Sequence, residues 1–280
     1  MYPEYYPFLA DGLLSTPMLT TIHSQMTEDM KHMLHLFPTI SAVAISRVAS
    51  LASGVDLPVV HNGIDTELFC SREMQDRTYL LFVGRMSKAK DSTGKYMDPK
   101  GVGTAIAIAK QTGIPLKIVG NVEDPAFFNE IVKPHLSTTI TYVGELSVEQ
   151  TLTKEEMVKL FQGAIAFLNP INWEEPFGLV MAEAASCGTP VVAYNRGSVQ
   201  ELIKDGQTGF IIDPDNEERT GKGSWVIKKQ GIEGLVEAVN RIGEIDRLAC
   251  REHAVEQFTI GKMVDGYEVL YQALLQSKHK

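Results

Sequence analysis

The chain has 280 residues, 44% of them hydrophobic, which is normal for a protein that buries a core and allows one large domain or two ordinary ones. Its net charge of −9 argues against nucleic acid as the main partner, because binding to phosphates requires lysine and arginine. The three cysteines follow no disulfide or zinc pattern and are typical of a reducing, cytoplasmic compartment. Neither a transmembrane run of about 20 apolar residues nor a signal peptide is expected, although a peripheral membrane contact stays open.

Short apolar runs alternate with helical patterns over residues 17–61. We expect strands at 17–22, 39–45 and 57–61, and helices at 24–36 and 46–53, the second capped by Ser46 and ended by Gly54. The alternation predicts α/β architecture with parallel strands. Because it supplies only about half of a six-stranded doubly wound sheet, we expect a partial first domain. Asn62-Gly63 is a strong turn signal and marks its end.

The alternation continues at greater length after residue 79 and predicts a second, complete doubly wound domain. Lysine-rich residues 86–99 and polar residues 213–229 are expected to be loops inserted between its elements. No GxGxxG fingerprint follows a strand, so NAD is not implied. The expected strands are 79–83, 115–119, 139–143, 164–168, 191–194 and 208–212, and the expected helices are 102–111, 125–133, 153–162, 231–242, 246–257 and 259–275.

An acidic stretch, NPINWEEPFGLVMAEAASCGTP at 169–190, follows one of these strands. Pro176-Phe177-Gly178 is predicted to start a helix and Cys187-Gly188 to end it. A helix N-terminus favours phosphate, because its N–H groups are free and its dipole is positive there. If the eight residues from Glu175 to Glu183 are helical, they cover about 12 Å, roughly the distance from sugar to ribose in a nucleoside diphosphate sugar.

Both carboxylates also have a simpler interpretation. Glu175 could be a helix cap, and Glu183 a surface glutamate. Glu183 is the less ordinary residue, because it lies in the otherwise apolar run LVMAEAAS.

The sequence EPFGLVMAE, followed by CGTPVVAYNRGSVQELIKDGQTGFII, resembles the Glu-x7-Glu signature of family 4 retaining glycosyltransferases, also called glycosyl transferases group 1. The resemblance extends from about Thr20 to the C-terminus. It implies the GT-B fold of two Rossmann-like domains, with the first part of the N-terminal domain lacking. The implied segments are a partial acceptor-side domain (1–62), a nucleotide-sugar-binding domain (63–261) and a helix that crosses back (262–280). The chain is then either a fragment or a short form completed by a partner chain, a second copy or a rearranged N-terminus.

The resemblance also implies roles for individual residues. Glu175 would hold the sugar hydroxyls and Glu183 the ribose hydroxyls. The amides of Phe177, Gly178 and Leu179 would assist the donor diphosphate.

Further roles follow from the family's Gly-Arg…Lys-Gly pattern, matched by Gly84-Arg85 and Lys100-Gly101. The arginine and the lysine would hold the diphosphate, although Lys88 or Lys90 could take the place of Lys100. Three residues at strand ends are candidate contacts of the nucleotide base, and His23 would face the donor sugar. The base candidates are Gly120, Glu145 and Leu146.

The expected function is that of a retaining glycosyltransferase that moves a hexose from a nucleoside diphosphate sugar, UDP-glucose by default, to an unknown acceptor hydroxyl without a bound metal or other cofactor. A retaining glycosidase is excluded, because its two catalytic carboxyl groups lie about 5 Å apart, whereas Glu175 and Glu183 are expected to be more widely spaced. Three alternatives stay open: an epimerase or hydrolase on the same fold, a non-catalytic subunit that binds nucleotide sugars, and a fragment with no independent role.

Overall fold

The computed structural model describes residues 3–10, 13–73, 76–86, 89–144, 152–215 and 224–277. Within these residues the strands form two parallel sheets, one of two strands and one of six. The strands are β1 (Leu19–Ile22), β2 (Ser41–Ala44), β3 (Tyr79–Val83), β4 (Leu116–Val119), β5 (Ile140–Gly144), β6 (Ala164–Asn169), β7 (Val191–Tyr194) and β8 (Gly209–Ile212).

In the described part of the chain, at least one helix lies between each pair of consecutive strands, and three α-helices follow the last strand in succession. The helix predicted at 125–133 is a short α-helix, Pro125–Phe127, followed by a π-helical segment, Phe128–Val132, and a 3₁₀ turn, Lys133–His135. None of the described helices is long and apolar enough to span a membrane. The α-helices are α1 (Tyr6–Leu9), α2 (Glu28–Leu36), α3 (Arg47–Ser53), α4 (Val102–Thr112), α5 (Pro125–Phe127), α6 (Lys154–Gln162), α7 (Leu179–Ser186), α8 (Val199–Leu202), α9 (Gly231–Asn240), α10 (Arg247–Gln257) and α11 (Ile260–Ser277).

The larger sheet has the strand order β5-β4-β3-β6-β7-β8, all parallel. It is buried on both faces, with Leu80 and Phe82 packing on one side of β3 and Leu81 and Val83 on the other. The chain moves outward from β3 to β5 and then returns to β6 on the other side of β3. In such a sheet, the loops after the two central strands flank a crevice where ligands bind. The predicted doubly wound sheet is confirmed.

The smaller sheet has two strands, so the prediction of a third strand at 57–61 is wrong. Val59 forms only an isolated bridge with Ala44. The amide of Ala44 donates to the carbonyl of Pro58, and the amide of Val60 donates to the carbonyl of Ala44. Pro58 itself has no N–H group, and therefore the pairing does not extend towards residue 57.

Helix boundaries in this region follow their capping residues. The helix predicted at 24–36 begins only at Glu28, because the side chain of Thr27 accepts a hydrogen bond from the amide of Met30. The predicted caps of α3 are confirmed, with Ser46 at its start and Gly54 in the left-handed conformation at its end.

Helix α11 packs against the smaller sheet. The hydroxyl groups of Tyr267 and Thr21 are 2.8 Å apart. Leu270 and Leu274 line an apolar groove of about 340 Å³ together with residues of β1, β2 and the loop after α3.

Candidate functional site

The loop from residue 170 to 178, which we call the acidic loop, joins β6 to α7. The helix begins at Leu179, not at Pro176 as predicted, and Gly178 precedes it with a φ of 86°. The amide of Ser198 donates to the carbonyl of Glu175 over 3.0 Å, and its hydroxyl donates to the carbonyl of Phe177. These carbonyls therefore do not accept the bonds that a helix would require. The 12 Å estimate, which assumed a continuous helix, does not apply before Leu179.

Glu174 is a residue of the acidic loop that sequence reasoning missed. The amide of Gly197 donates to its carboxylate over 2.6 Å, and the guanidinium of Arg196 lies 3.5 Å from it. Gly197 has a φ of 54°, and a Cβ there would lie 2.2 Å from the carbonyl oxygen of Glu175. This close packing fixes the acidic loop against the segment after β7. The signal in the sequence was the pair of adjacent acids, of which only the second matched the family signature.

Lys100 lies beside the acidic loop. Its Nζ donates to Oε2 of Glu175 and lies 4.8 Å from the centre of the Trp173 ring. The side chains of Lys100 and Glu175 are only 20% and 16% exposed. Of the alternatives, Lys90 instead covers the ring of Tyr96, and Lys88 lies outside the described residues. Of the two candidate lysines that the structure describes, Lys90 and Lys100, it is therefore Lys100 that lies at the acidic loop.

Asp98 holds the backbone that carries Lys100. Its carboxylate accepts hydrogen bonds from the amides of Gly101 and Gly103 at 2.9 and 2.7 Å. Burial raises the pKa of Asp98, and the bonds from these amides act in the opposite direction. Sequence reasoning missed this contact, because the N-cap position of α4 is Gly101, which has no side chain to form a cap, and Asp98 lies before it.

Arg85 follows β3 and reaches the same crevice. Its guanidinium lies 3.0 Å from the carboxylate of Glu123, and its side chain is 63% exposed. Arg85 and Lys100 line one cavity of about 130 Å³, with Glu123 and Trp173 on its other walls. The indole Nε1 of Trp173 is buried and has no hydrogen-bond partner among the described residues. The cavity thus offers two cations, Arg85 and Lys100.

The structure describes only one of the three residues that were predicted to contact the nucleotide base. Gly120 follows β4 with a φ of 149°, and a Cβ there would lie 1.9 Å from the carbonyl oxygen of Gly84. Glycine at this position lets the ends of β3 and β4 approach closely. Glu145 and Leu146 lie outside the described residues.

Glu183 lies on α7 between the buried residues Ala182 and Ala184. Burial raises the pKa of its carboxyl group to about 7, and the positive charge of Lys154 acts in the opposite direction. A carboxyl group in this environment gains from hydrogen-bond donors supplied by a ligand. The surface-glutamate alternative does not fit this burial.

His23 lies apart from this cluster, at the exposed end of β1. Its amide donates to the carboxylate of Glu4 over 2.9 Å. The next residues, Ser24 and Gln25, line a second cavity of about 170 Å³ whose opposite wall includes Glu175. The end of β1 therefore faces the acidic loop across a cleft. In the described part of the chain, no three His, Cys, Asp or Glu side chains are grouped as metal ligands.

The profile of the family described as "Glycosyl transferases group 1" matches residues 64–225, more than half of the chain. The chain belongs to this family. Among curated relatives, the D-inositol 3-phosphate glycosyltransferase of Paenarthrobacter aurescens (strain TC1) is 28% identical over 170 residues, which cover 60% of this chain and 40% of that protein. The alpha-maltose-1-phosphate synthase of Mycolicibacterium smegmatis (strain ATCC 700084 / mc(2)155) is 25% identical over 217 residues, covering 72% of this chain and 52% of that protein. The chain thus spans about half the length of these two relatives.

Solved structures of glycosyltransferases share the fold. AviGT4, a glycosyltransferase involved in avilamycin A biosynthesis, superimposes with a TM-score of 0.70 at 22% identity, covering 94% of this chain and 69% of that one. Anabaena HepE in complex with UDP-glucose gives a TM-score of 0.70 at 16% identity, covering 95% of this chain and 75% of that one. The group 1 family member described here therefore has the GT-B type of α/β fold.

Proposed function

We propose that this protein is a retaining glycosyltransferase that moves a hexose from a nucleoside diphosphate sugar to an acceptor hydroxyl. The observation that carries the proposal is the meeting of Lys100 with Glu175 at the wall of a cavity that also contains Arg85. These side chains come from the loops after the two central strands of the sheet, which is where ligands of such sheets bind. Family membership supports the same reaction class.

The cations serve the leaving group. When the bond between sugar and phosphate breaks, negative charge grows on the diphosphate. Arg85 and Lys100 stabilise that charge in a partly enclosed cavity, where electrostatic interactions are stronger than in water. The amides of Phe177, Gly178 and Leu179, at the N-terminus of α7, donate to the same oxygens.

The carboxylates serve the sugar and the ribose. Positive charge grows on the sugar ring as the diphosphate leaves, and the carboxylate of Glu175 holds the sugar hydroxyls beside it. Glu183, on the second turn of α7, accepts from the ribose hydroxyls. UDP-glucose is our default donor, and the UDP-glucose complex of a protein with the same fold supports this choice.

A thermal-shift panel of UDP-, GDP- and ADP-glucose tests donor binding. Ligand at about 100 times its dissociation constant adds about 2.7 kcal/mol of stability. We expect a shift with one nucleotide sugar that Glu183→Ala abolishes. Glu28→Ala, at a side chain that is 88% exposed on α2, is the matched control and keeps the shift. The proposal fails if no nucleotide sugar stabilises the wild-type protein.

Product analysis then tests the reaction class. Incubation of the identified donor with a panel of hydroxyl acceptors is expected to release nucleoside diphosphate and to form a glycoside whose anomeric configuration is that of the donor. An inverted anomeric centre would contradict a retaining mechanism. Free sugar as the sole product would favour a hydrolase, and an isomerised nucleotide sugar would favour an epimerase.

A further inference from the structure

The carboxylate of Glu201 connects the two sheets. Glu201 lies on α8, which follows β7 of the six-stranded sheet, whereas α3 follows β2 of the smaller sheet. The amides of Arg47 and Val48, the first two residues of α3, donate to Oε2 and Oε1 of Glu201 at 2.7 and 2.9 Å. A carboxylate at a helix N-terminus binds free N–H groups and complements the helix dipole. One side chain therefore holds the start of α3 from across the cleft.

His61 extends this contact to the acidic loop. Its Nε2 lies 3.0 Å from Oε2 of Glu201. Its ring lies against that of Phe177, with 5.7 Å between ring centres, and against that of Phe258 at 5.8 Å. Phe177 belongs to the acidic loop. The hydrogen bonds from His61 and from the two amides of α3 outweigh burial and hold the pKa of Glu201 below its ordinary value, so the carboxylate stays charged at neutral pH.

The other end of α8 binds the acidic loop directly. The amides of Gly197 and Ser198, just before α8, donate to the carboxylate of Glu174 and the carbonyl of Glu175. Val199 and Leu202 anchor α8 in the core between these two attachments. This four-residue helix therefore connects two structures: the residues before it bind the acidic loop, and Glu201 near its end binds α3. The 170 Å³ cavity lies between the two structures that it joins.

We propose that Glu201 is a positioning residue that sets the gap between α3 and the acidic loop. This role rests on the proposed function, because the gap is where an acceptor approaches the sugar held by Glu175. Glu201 itself touches neither donor nor acceptor. Its side chain is only 18% exposed, and hydrogen bonds to a charged group in such surroundings are stronger than those in water. Removing the carboxylate leaves α3 and the acidic loop without their shared support.

Hydrogen exchange separates this role from simple helix capping. Glu201→Ala is compared with Ser46→Ala, which removes the internal cap of the same helix, the bond from the amide of Ala49 to Oγ of Ser46. We expect both variants to speed exchange at the start of α3 by at least tenfold. Only Glu201→Ala is expected to speed exchange in the acidic loop as well. Unchanged exchange in that loop would overturn the proposal, and this result does not depend on activity.

Turnover gives the second measurement. With the donor found by thermal shift, Glu201→Ala is expected to keep the donor shift but to release nucleoside diphosphate at least tenfold more slowly, whereas Ser46→Ala keeps the wild-type rate. Equal rates of nucleoside diphosphate release in Glu201→Ala and Ser46→Ala would overturn the role of Glu201 in positioning. Glu201→Gln keeps the shape and one accepting oxygen, so it should give an intermediate rate, and it replaces the alanine variant if that one does not fold. If the wild-type protein binds no donor, that result contradicts the proposed function. The hydrogen-exchange comparison then still tests whether Glu201 supports both α3 and the acidic loop.

Discussion

Lys100 and Glu175, which are 75 residues apart in the sequence, form an ion pair in which Nζ donates to Oε2. Lys100 comes from the loop before α4 and Glu175 from the loop before α7, so the pair spans the crevice between the central strands. Each side chain neutralises the other in the free protein. The diphosphate of the donor that we propose must therefore compete with Glu175 for the lysine, and removing either partner has a different consequence.

We expect Lys100→Met to weaken the binding of nucleoside diphosphate about tenfold to a hundredfold, because a charge-assisted hydrogen bond contributes about 1.5–3 kcal/mol. Glu175→Gln should bind nucleoside diphosphate at least as tightly as the wild type, because it removes the competitor of the diphosphate. The same variant should lose sugar transfer. Calorimetric titration with UDP, GDP and ADP gives the affinities. Lys110→Met, at an exposed lysine in the last turn of α4, is the control and should bind like the wild type. Equal losses of affinity in the Lys100 and Glu175 variants would contradict the competition.

The backbone that carries Lys100 depends on Gly101. Its φ is 83°, and a Cβ there would lie 1.9 Å from the carbonyl oxygen of Pro170. Gly101→Ala is therefore expected to lower the free energy of unfolding by more than about 2 kcal/mol, since it adds a backbone clash to the cost of a left-handed conformation. Urea unfolding measures this difference.

Gly94→Ala is the matched control for this substitution. Gly94 has a nearly identical φ of 82°, but a Cβ there meets no atom within 4 Å. Gly94→Ala should lower the free energy of unfolding by only about 1–2 kcal/mol, which is the cost of the left-handed conformation alone. If the two variants unfold at the same urea concentration, the close approach of Gly101 to Pro170 is not a constraint in solution.

The sequence predicted those features that depend on neighbouring residues. All six strands of the larger sheet were located, because buried parallel strands are continuous apolar runs. The caps Ser46 and Gly54 were also predicted correctly, because a cap acts within one helical turn.

Features that depend on distant contacts were missed. Helix α7 begins at Leu179 and not at Pro176, because Ser198, about 20 residues away, donates hydrogen bonds to carbonyl groups of the acidic loop. The role of Glu174 also depends on partners from another segment. No local pattern predicts such a pairing, whereas the family signature located Glu175 and Glu183 without describing what holds them.

Glu183 supplies a prediction about pH. Its pKa is raised from 4.5 to about 7 by burial, so the folded protein binds a proton that the unfolded chain has released in this range. The stabilisation from the neutral carboxyl is fully present below about pH 4.5 and is lost progressively as the pH rises to about 7. A shift of this size corresponds to about 3 kcal/mol at most. Glu183→Gln is always neutral, so we expect this variant to be more stable than the wild type above pH 7, although it loses donor binding.

Urea unfolding between about pH 5 and about pH 8 tests this prediction. The difference in unfolding free energy between Glu183→Gln and the wild type should grow over the lower part of this range and level off above about pH 7. Glu28→Gln is the control and should follow the wild-type curve, because this side chain is 88% exposed and its surface ion pair with Lys31 contributes little to stability. Parallel curves for Glu183→Gln and the wild type would show that the carboxyl group is hydrated in the folded protein. A saturating donor should reduce the difference, because the ribose hydroxyls supply hydrogen bonds that favour the ionised carboxylate of the wild type.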